Sequence, residues 1–297
     1  MIGTGNNLIR YIIQSSRPKQ WIKSSLLVIV PIVSGEFIKW NTFQYFQLFF
    51  GIVSFIILAS AIYFLNDLHD INLDRAHPSK SNRPIPSGKI TKSTALIGTI
   101  VYLITALSIG RLIDQQLFNL QVVYLAISIS YIYVTKLIPY WEMISISTGF
   151  IIRSAAGAVF VNTKPSYFFY SIIFSTAFTI VCAKRLGEMR SSNILKRNVI
   201  SHYSKELLSG CIIIATSSSI ALYVFFILYS EANKTSSNLS QIIFSATLVP
   251  FVIIVLEIMK MALSGASEII EDIYSKNSFI LINFFLLFLM YMTAILL

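Results

Sequence analysis

Long apolar stretches, separated by short polar ones, dominate the chain from about residue 24 to its end. Most of them reach the ~20 residues that a helix needs to cross a bilayer. The pattern predicts spans at about 24–40, 43–65, 92–111, 115–135, 138–161, 165–184, 207–230, 239–263 and 277–297. The first of these is the weakest, because Pro31, Gly35 and Glu36 interrupt it. We therefore expect an all-α polytopic membrane protein with about nine transmembrane helices, in one domain over residues 1–297.

The composition favours the same class of protein. Apolar residues make up 55% of the chain and charged residues 12%, about half the charged share of an ordinary soluble domain. A net charge of +10 is explained more simply by basic loops that face anionic lipid than by a nucleic acid partner. Cys182 and Cys211 both fall in apolar stretches, so we expect neither a disulfide nor a metal site from them. No cleavable signal peptide is expected.

The basic residues predict an orientation in the membrane. Of the 23 Lys and Arg residues, 18 lie in the N-terminal segment, or in the loops after the second, fourth, sixth and eighth predicted spans and at the span ends beside them. Only four lie in the opposite loops or at the span ends beside those. Basic loops mark the cytoplasmic side. We therefore expect a cytoplasmic membrane protein whose N-terminus and 66–91 loop are cytoplasmic and whose C-terminus is outside.

The segment 66–88, NDLHDINLDRAHPSKSNRPIPSG, gathers acids beside a predicted span. If the helix continues past Leu65, Asn66, Asp70 and Asp74 stack on one face, with Asp67 beside them. Like charges at this spacing destabilise a helix unless a cation neutralises them. Carboxylate and carbonyl oxygens select a hard cation such as Mg²⁺. The pattern therefore predicts a magnesium site.

Basic residues follow the acids at a proline-rich turn. Pro78 is expected to end the helix, and the segment 83–86, RPIP, must then run extended. This places His77, Lys80 and Arg83 just beyond the acids. Metal ligands followed by cations are the arrangement that a diphosphate group needs.

Two other interpretations of this segment are weaker. A solvated loop that only fixes topology does not explain the clustered acids, because acids contribute little to that rule. An EF-hand fits Asp70, Asn72 and Asp74, but Arg75 stands where that loop needs Gly and Ser81 where it needs Glu.

Ionisable residues also occur inside the predicted spans. Glu142 and Arg153 are separated by three helical turns and should face the same way. They could form a structural ion pair, contact a substrate, or do both. Lys184 and Arg185 end the sixth predicted span, where they could act as topology signals or bind phosphate.

The acid-rich segment, together with RPKQWIK at 17–23, resembles motifs of the UbiA superfamily of intramembrane prenyltransferases, in particular its polyprenyl-phosphate phosphoribosyltransferases. The similarity extends over 131–157 and to the KRxxE pattern at 184–188. It implies a UbiA-type helical bundle with the predicted number of helices. It also implies substrate contacts by these residues: Lys23, His77, Lys80, Arg83, Tyr131, Lys136, Glu142, Arg153, Lys184 and Arg185. The chain has Ser24, Ile132 and Glu142 where these relatives usually have Asn, Ser and Asp.

The same resemblance bears on the reaction. Aromatic prenyltransferases of the superfamily carry a second aspartate-rich motif after the sixth span, whereas Glu188 is the only acid in 184–198 here. A single metal cluster with many cations favours phosphoribosyl pyrophosphate as donor and a polyprenyl phosphate as acceptor. Asn66, Asp70 and Asp74 would hold Mg²⁺ with help from Asp67. Prenyl transfer to an aromatic acceptor and a non-catalytic lipid-phosphate carrier remain alternatives.

Overall fold

The structure is a computed structural model, in which residues 5–162, 164–190, 201–229, 237–264 and 277–297 are described. Throughout these ranges the chain forms helices, turns and short connections, without a β-strand. The α-helices are α1 Gly5–Ser15, α2 Leu26–Ser34, α3 Thr42–His69, α4 Ile71–Ala76, α5 Lys92–Ile113, α6 Gln115–Tyr133, α7 Trp141–Gly157, α8 Tyr167–Arg190, α9 Lys205–Tyr229, α10 Asn238–Ala246, α11 Leu248–Ser264 and α12 Ser278–Leu296.

Within the described ranges, eight helical segments are long and apolar enough to cross a bilayer. They correspond to α3, α5, α6, α7, α8, α9, the pair α10–α11, and α12. Many of their large apolar side chains, such as Phe46 on α3 and Ile214 on α9, are exposed. Such exposure suits a lipid environment. The protein is therefore an integral multi-pass membrane protein, as the hydropathy pattern predicts.

The first predicted span, 24–40, is not one continuous helix. It contains α2 and the 3₁₀ helix Glu36–Lys39. Pro31 lies inside α2 and Gly35, with φ of 69°, follows the helix. A proline removes a helical hydrogen bond and a left-handed glycine ends a helix, which explains why about nine transmembrane helices become eight long ones plus a broken segment.

This broken segment nevertheless spans the length of α3. Arg17, which precedes it, contacts Asp67 at the C-terminal end of α3. Asn41, which follows it, caps the N-terminus of α3. A helix of 28 residues is about 42 Å long, so residues 18–40 connect two levels about one bilayer apart.

The eighth predicted span is also interrupted, because α10 ends at Ala246 and α11 begins at Leu248. Pro250, in the first turn of α11, cannot donate a backbone hydrogen bond to the preceding turn. The Thr247 hydroxyl lies 2.9 Å from the hydroxyl of Tyr223 on α9. This contact stabilises the interruption within the membrane.

The chain divides into two compact units. Unit 1 contains Met1–Pro31, Ile38–Lys136 and Ile152–Asn162. Its core is built around α3, which packs against α5 and α6. Gly157 approaches the chain at Leu27 so closely that a Cβ would lie 2.1 Å from the Leu27 carbonyl oxygen. This is the close approach that small residues permit in membrane proteins.

Unit 2 contains Ile32–Phe37, Leu137–Ile151 and Thr163–Leu297. In it α8 packs along α9, and α11 packs against α8, α9 and α12. One apolar cluster surrounds Met143, Cys182 and Leu186, with Cys211 packed against it. Both cysteines are free, as expected from their positions. Whether the two units form a single domain stays a prediction.

Candidate active site

The acids predicted to bind a metal lie where α3 passes into α4. Asn66 and Asp67 are on the last turn of α3, Asp70 lies between the helices, and Asp74 is on α4. The backbone N–H of Asp70 donates to Asn66 O at 2.9 Å, and that of Asp74 donates to Asp70 O at 2.8 Å. The helical repeat therefore continues through the junction, and Asn66, Asp70 and Asp74 keep their i, i+4, i+8 register. We call these four residues the acid cluster.

Two arginines converge on Asp67, whose side chain is 1% exposed. Its Oδ1 accepts hydrogen bonds from Arg17 and, at 3.2 Å, from Nη1 of Arg83. Nη1 of Arg83 also donates to Asp74 Oδ2 at 2.9 Å. Arg83 thus bridges two carboxylates of the acid cluster. Arg17 adopts a left-handed backbone with φ of 53°, which costs an L-residue about 1–2 kcal/mol, and it also lies over the Tyr63 ring.

A lysine and a histidine contact the carboxylate of Asp70. Lys136 Nζ lies 2.6 Å from Asp70 Oδ1, and both side chains are almost fully buried. His69 Nδ1 lies 2.9 Å from the same oxygen and 3.0 Å from Lys136 Nζ. The edge of the His69 ring packs against Tyr133. Lys136 is therefore held at the acid cluster across 66 residues of sequence.

The turn after α4 fixes the position of Arg83. As predicted, the helix ends before Pro78, since α4 stops at Ala76 and His77 is extended. The extended run predicted for 83–86 is wrong beyond Arg83, because the Ser87 N–H donates to the Arg83 carbonyl at 2.9 Å and closes a turn. Arg75 Nε donates to the carbonyl of Pro86 at 2.8 Å, and Ile85 is buried in an apolar cluster with Phe64 and Ile90. A rigid turn anchored in this way limits the freedom of the Arg83 side chain.

The chemistry of the acid cluster suits a hard divalent cation, because carboxylate and amide oxygens are the ligands that Mg²⁺ prefers. In the part of the chain that the structure describes, no three His, Cys, Asp or Glu side chains lie close enough to share one metal ion. Each carboxylate instead meets a cation from Arg17, Arg83 or Lys136. Ligand atoms of the right kind thus follow one another along the junction of α3 and α4, each paired with a basic group.

A second charged cluster lies in unit 2 and consists of Glu142, Arg185, Glu188 and Tyr203; we call it the Glu142 cluster. Glu142 begins α7 and Arg185 is on α8. Arg185 Nε lies 2.6 Å from Glu142 Oε1, and Arg185 Nη2 donates to Glu142 Oε2 at 2.9 Å. The Tyr203 hydroxyl donates to Glu142 Oε1 at 2.8 Å. Both oxygens of Glu142 are therefore engaged within unit 2.

Arg153, expected to face the same way as Glu142, has a different partner. Its Nη2 donates to the Tyr124 hydroxyl, and its guanidinium lies 4.7 Å from the centre of the Tyr124 ring. Tyr124 packs against Phe55 of α3. Phe55 precedes Asp70 by fifteen residues, or about 22 Å along a helix. The structure therefore places Arg153 beside the middle of α3 and does not bring it to the acid cluster.

The remaining predicted residues have varied environments. Lys23 lies on the 3₁₀ helix Pro18–Ser25, and Lys80 begins the 3₁₀ helix Lys80–Asn82. The His77 ring accepts backbone hydrogen bonds of the following turn at 3.3 and 3.4 Å. Tyr131 packs against an apolar cluster of unit 1, and Lys184 is exposed on α8. Their predicted substrate contacts stay predictions.

Sequence reasoning missed several residues that contact the predicted ones: Arg17 and His69 at the acid cluster, Tyr133 against His69, Tyr124 at Arg153 and Tyr203 at Glu142. Arg17 belongs to a segment noted for its similarity, and His69 lies among the acids, so both carried a signal. Tyr203 carried none, since a tyrosine between a basic loop and a span resembles an ordinary interfacial residue.

Comparison with known proteins agrees with this description. The profile of the UbiA prenyltransferase family matches residues 28–232. A decaprenyl-phosphate phosphoribosyltransferase from Mycobacterium tuberculosis is 26% identical over 278 residues, which cover 91% of this chain and 89% of the relative. A protein of the same name from Corynebacterium glutamicum is 33% identical over 187 residues, covering 62% of this chain and 56% of the relative.

Solved structures share the fold. A UbiA homologue from Archaeoglobus fulgidus, solved bound to DMAPP and Mg²⁺, superposes with a TM-score of 0.65. The match covers 96% of this chain and 97% of that structure at 17% sequence identity. At this identity the similarity establishes the fold.

Proposed function

The chain belongs to the UbiA prenyltransferase family, and from that premise we propose that it transfers a 5-phosphoribosyl group from phosphoribosyl pyrophosphate to a polyprenyl phosphate, such as decaprenyl phosphate, releasing diphosphate. The observation that carries the proposal is the acid cluster of unit 1, whose hard oxygen ligands are met by cations from three separate parts of the chain, Arg17, Arg83 and Lys136. The mycobacterial relative, similar over most of the chain, is named for this reaction.

Asn66, Asp70 and Asp74, with help from Asp67, would hold Mg²⁺. When bound, the ion would neutralise charge on the diphosphate leaving group. The Mg²⁺ in the homologue from Archaeoglobus fulgidus supports a divalent ion in this fold. The side-chain oxygens of Asp70 and Asp74 would then exchange the contacts they make with Lys136 and Arg83 for contacts with the ion.

The released cations would bind the donor. Arg83 and Lys136 would turn from carboxylate to phosphate oxygens, which are good partners for guanidinium and ammonium groups. Asp67 would keep Arg17 in place beside them. Positive charge held next to the leaving group stabilises the transition state, because the ribose becomes oxocarbenium-like as the bond to diphosphate lengthens.

The bond changes balance without a protein base. The bond between the anomeric carbon and the diphosphate oxygen breaks, and its electron pair leaves with diphosphate. A phosphate oxygen of the polyprenyl phosphate, already ionised at neutral pH, supplies the electron pair of the new bond. The acceptor's hydrocarbon chain would remain in the bilayer against the apolar faces of the spans. The excess of basic residues in the loops on its side supports a cytoplasmic location for the acid cluster.

A second candidate is prenyl transfer from a prenyl diphosphate to an aromatic acceptor. The fold shared with a homologue bound to DMAPP favours it. The sequence at the end of α8 and just beyond it does not, because Glu188 is the only acid in 184–198.

The test offers both donors to the purified protein with Mg²⁺. One reaction contains radiolabelled phosphoribosyl pyrophosphate and decaprenyl phosphate, and the other contains radiolabelled geranyl diphosphate and 4-hydroxybenzoate. We expect labelled lipid in the first and no labelled product in the second. The opposite result would establish the prenyltransferase. Absence of product in both, with retained binding of decaprenyl phosphate, would favour a lipid-phosphate carrier.

A further inference from the structure

A polar cavity of about 270 Å³ lies in unit 1, at the end of α3 opposite to the acid cluster. It is formed by the first turns of α3, the junction of α5 and α6, and the chain after α7. Its polar lining residues are Gln44, Gln47, Asp114 and Asn162. Gln47 precedes Asn66 of the acid cluster by nineteen residues on α3, or about 28 Å. The cavity is therefore about one hydrocarbon thickness of a bilayer away from the acid cluster.

An apolar groove adjoins this cavity in the same unit. It has a volume of about 330 Å³ and shares Gln47 and Ile113 with the cavity. Its other side chains are apolar: Phe43, Phe46, Phe50, Ile109 and Leu112. Each volume is close to about 300 Å³, the lower limit of small-molecule sites. A polar compartment at the membrane boundary with an apolar one beside it matches the arrangement of groups in a phospholipid.

Asp114 determines the charge of the polar cavity. Among the described residues that line the two compartments, only Asp114 is charged. Its Oδ1 accepts the backbone N–H groups of Gln116 and Leu117 and so caps α6. Within the described part of the chain, its carboxylate has no other hydrogen bond and no ion pair, not even with the exposed Arg111 one turn earlier. A carboxylate with a spare oxygen attracts an ammonium group and repels an anion.

Two glutamine amides complete the polar lining. Gln44 Oε1 accepts the backbone N–H of Asn41 at 3.0 Å, and its Nε2 makes no hydrogen bond to a described residue. The side chain of Gln47, which borders both compartments, also makes none within the described ranges. Both side chains are partly buried. A desolvated amide without a partner costs about 1–3 kcal/mol, and a phosphate oxygen would accept from such N–H groups.

We propose that the cavity and the groove form a binding site for a phospholipid with a primary amine in its headgroup, such as phosphatidylethanolamine, in the leaflet opposite to the acid cluster. The ammonium group donates to the Asp114 carboxylate. The lipid phosphate accepts from the amides of Gln44 and Gln47. One acyl chain lies in the groove against Phe46 and Phe50. The site is separate from the transfer reaction and does not rest on the proposed function.

This chemistry distinguishes the amine lipid from other phospholipids. Phosphatidylglycerol carries a net negative charge and offers Asp114 no cation. The quaternary ammonium of phosphatidylcholine has no N–H group to donate to a carboxylate. Because a hydrogen bond to a charged group contributes about 1.5–3 kcal/mol, we expect the site to prefer phosphatidylethanolamine over both by about tenfold or more.

Photocrosslinking of the full-length protein tests the site. The protein is reconstituted in phosphatidylcholine vesicles with a trace of phosphatidylethanolamine that carries a diazirine in one acyl chain, and labelled peptides are identified by mass spectrometry. We expect labelling of 43–50 and 109–113, which unlabelled phosphatidylethanolamine suppresses at about tenfold lower concentration than phosphatidylglycerol. Labelling of α12 in unit 2, where Phe285 is exposed, measures ordinary lipid contact in the same digest and should show no such preference.

Asp114→Asn removes the charge and keeps the helix cap, because Asn caps a helix as well as Asp. Labelling of 43–50 and 109–113 should fall about tenfold, while labelling of α12 stays the same. Glu257→Gln is the matched control. It removes a partly exposed carboxylate of unit 2 that pairs with Lys260, and its labelling should equal that of the wild type. Gln47→Leu keeps the charge, removes one amide, and should reduce labelling about threefold.

Three results would overturn the inference. The first is labelling of 43–50 and 109–113 that phosphatidylglycerol suppresses as well as phosphatidylethanolamine does. The second is labelling that is unchanged in both Asp114→Asn and Gln47→Leu. The third is the absence of labelling in these two segments when α12 is labelled. If Asp114→Asn loses the labelling of α12 as well, its fold is disturbed, and Gln47→Leu decides between specific binding and ordinary lipid contact.

Discussion

The acid cluster of unit 1 and the Glu142 cluster of unit 2 both hold carboxylates against arginines, but they do so differently. Around the acid cluster, Arg17 and Arg83 are 26% and 31% exposed, and Arg83 divides its Nη1 between Asp67 and Asp74. In the Glu142 cluster, the Glu142 and Arg185 side chains are almost fully buried and meet at two points.

This difference in exposure indicates which ion pairs can exchange partners. A partly exposed ion pair gains little net energy, so a phosphate or metal ion can replace one member. A buried pair is costly to break, because the remaining charge stays desolvated. On this criterion the Arg17 and Arg83 pairs of the acid cluster can exchange partners, whereas the Lys136–Asp70 pair is buried like the Glu142 pair, which we interpret as a fixed support.

The largest effect is expected for Asp70→Asn. It removes the carboxylate that contacts Lys136 and that would help to hold Mg²⁺, so kcat for phosphoribosyl transfer should fall by about 100-fold or more. Asp114→Asn is the matched control. Asp114 caps α6, and because Asn caps a helix as well as Asp, this variant should keep wild-type activity. Equal activity of Asp70→Asn and the control would contradict the assignment of the acid cluster as the metal site.

Glu142→Gln should mainly reduce stability. Removing one charge of a buried pair leaves Arg185 poorly compensated, which costs about 3 kcal/mol of unfolding free energy. Denaturation in SDS-containing mixed micelles measures this change. A loss below about 1 kcal/mol would show that the two clusters do not differ in the way proposed.

Arg83→Lys tests whether an arginine of the acid cluster binds substrate rather than stabilising the fold. Lysine keeps the charge but loses the fork that reaches two acceptors. We expect the KM for phosphoribosyl pyrophosphate to rise about tenfold, while the thermal midpoint changes little because Arg83 is partly exposed. Unchanged KM together with a large loss of stability would instead make Arg83 a structural residue.

The smallest effect is expected for Glu188→Gln. Glu188 pairs with Arg185 three residues away on α8, and its side chain is 24% exposed. Such a pair contributes about 0.5 kcal/mol. The unfolding free energy should therefore fall much less than in Glu142→Gln. A loss as large as in that variant would show that Glu188 stabilises Arg185 as much as Glu142 does.

Much of the fold follows from local sequence. Apolar lengths predict the spans, and Pro31 and Gly35 mark the break in the first one, whereas the interruption of the eighth between Ala246 and Leu248 was not predicted. Pro78 ends the helix that carries the acids, and the i, i+4 spacing places them in register. These features depend on residues close in the chain, so sequence periodicity captures them.

The partners of the charges depend on packing and were less predictable. Nothing near Glu142 indicates that its partner is Arg185 on another helix, whereas the three-turn spacing pointed to Arg153. Helical spacing tells which side chains share a face, but the neighbouring helix decides what they meet. For the same reason Lys136 was assigned to phosphate without its contact to Asp70.

The most direct test of the acid cluster is calorimetric binding of phosphoribosyl pyrophosphate to the purified protein, with and without Mg²⁺. We expect the wild type and Asp114→Asn to bind phosphoribosyl pyrophosphate only when Mg²⁺ is present. We expect Asp70→Asn not to bind it. Binding of equal strength without Mg²⁺, or unchanged in Asp70→Asn, would contradict it.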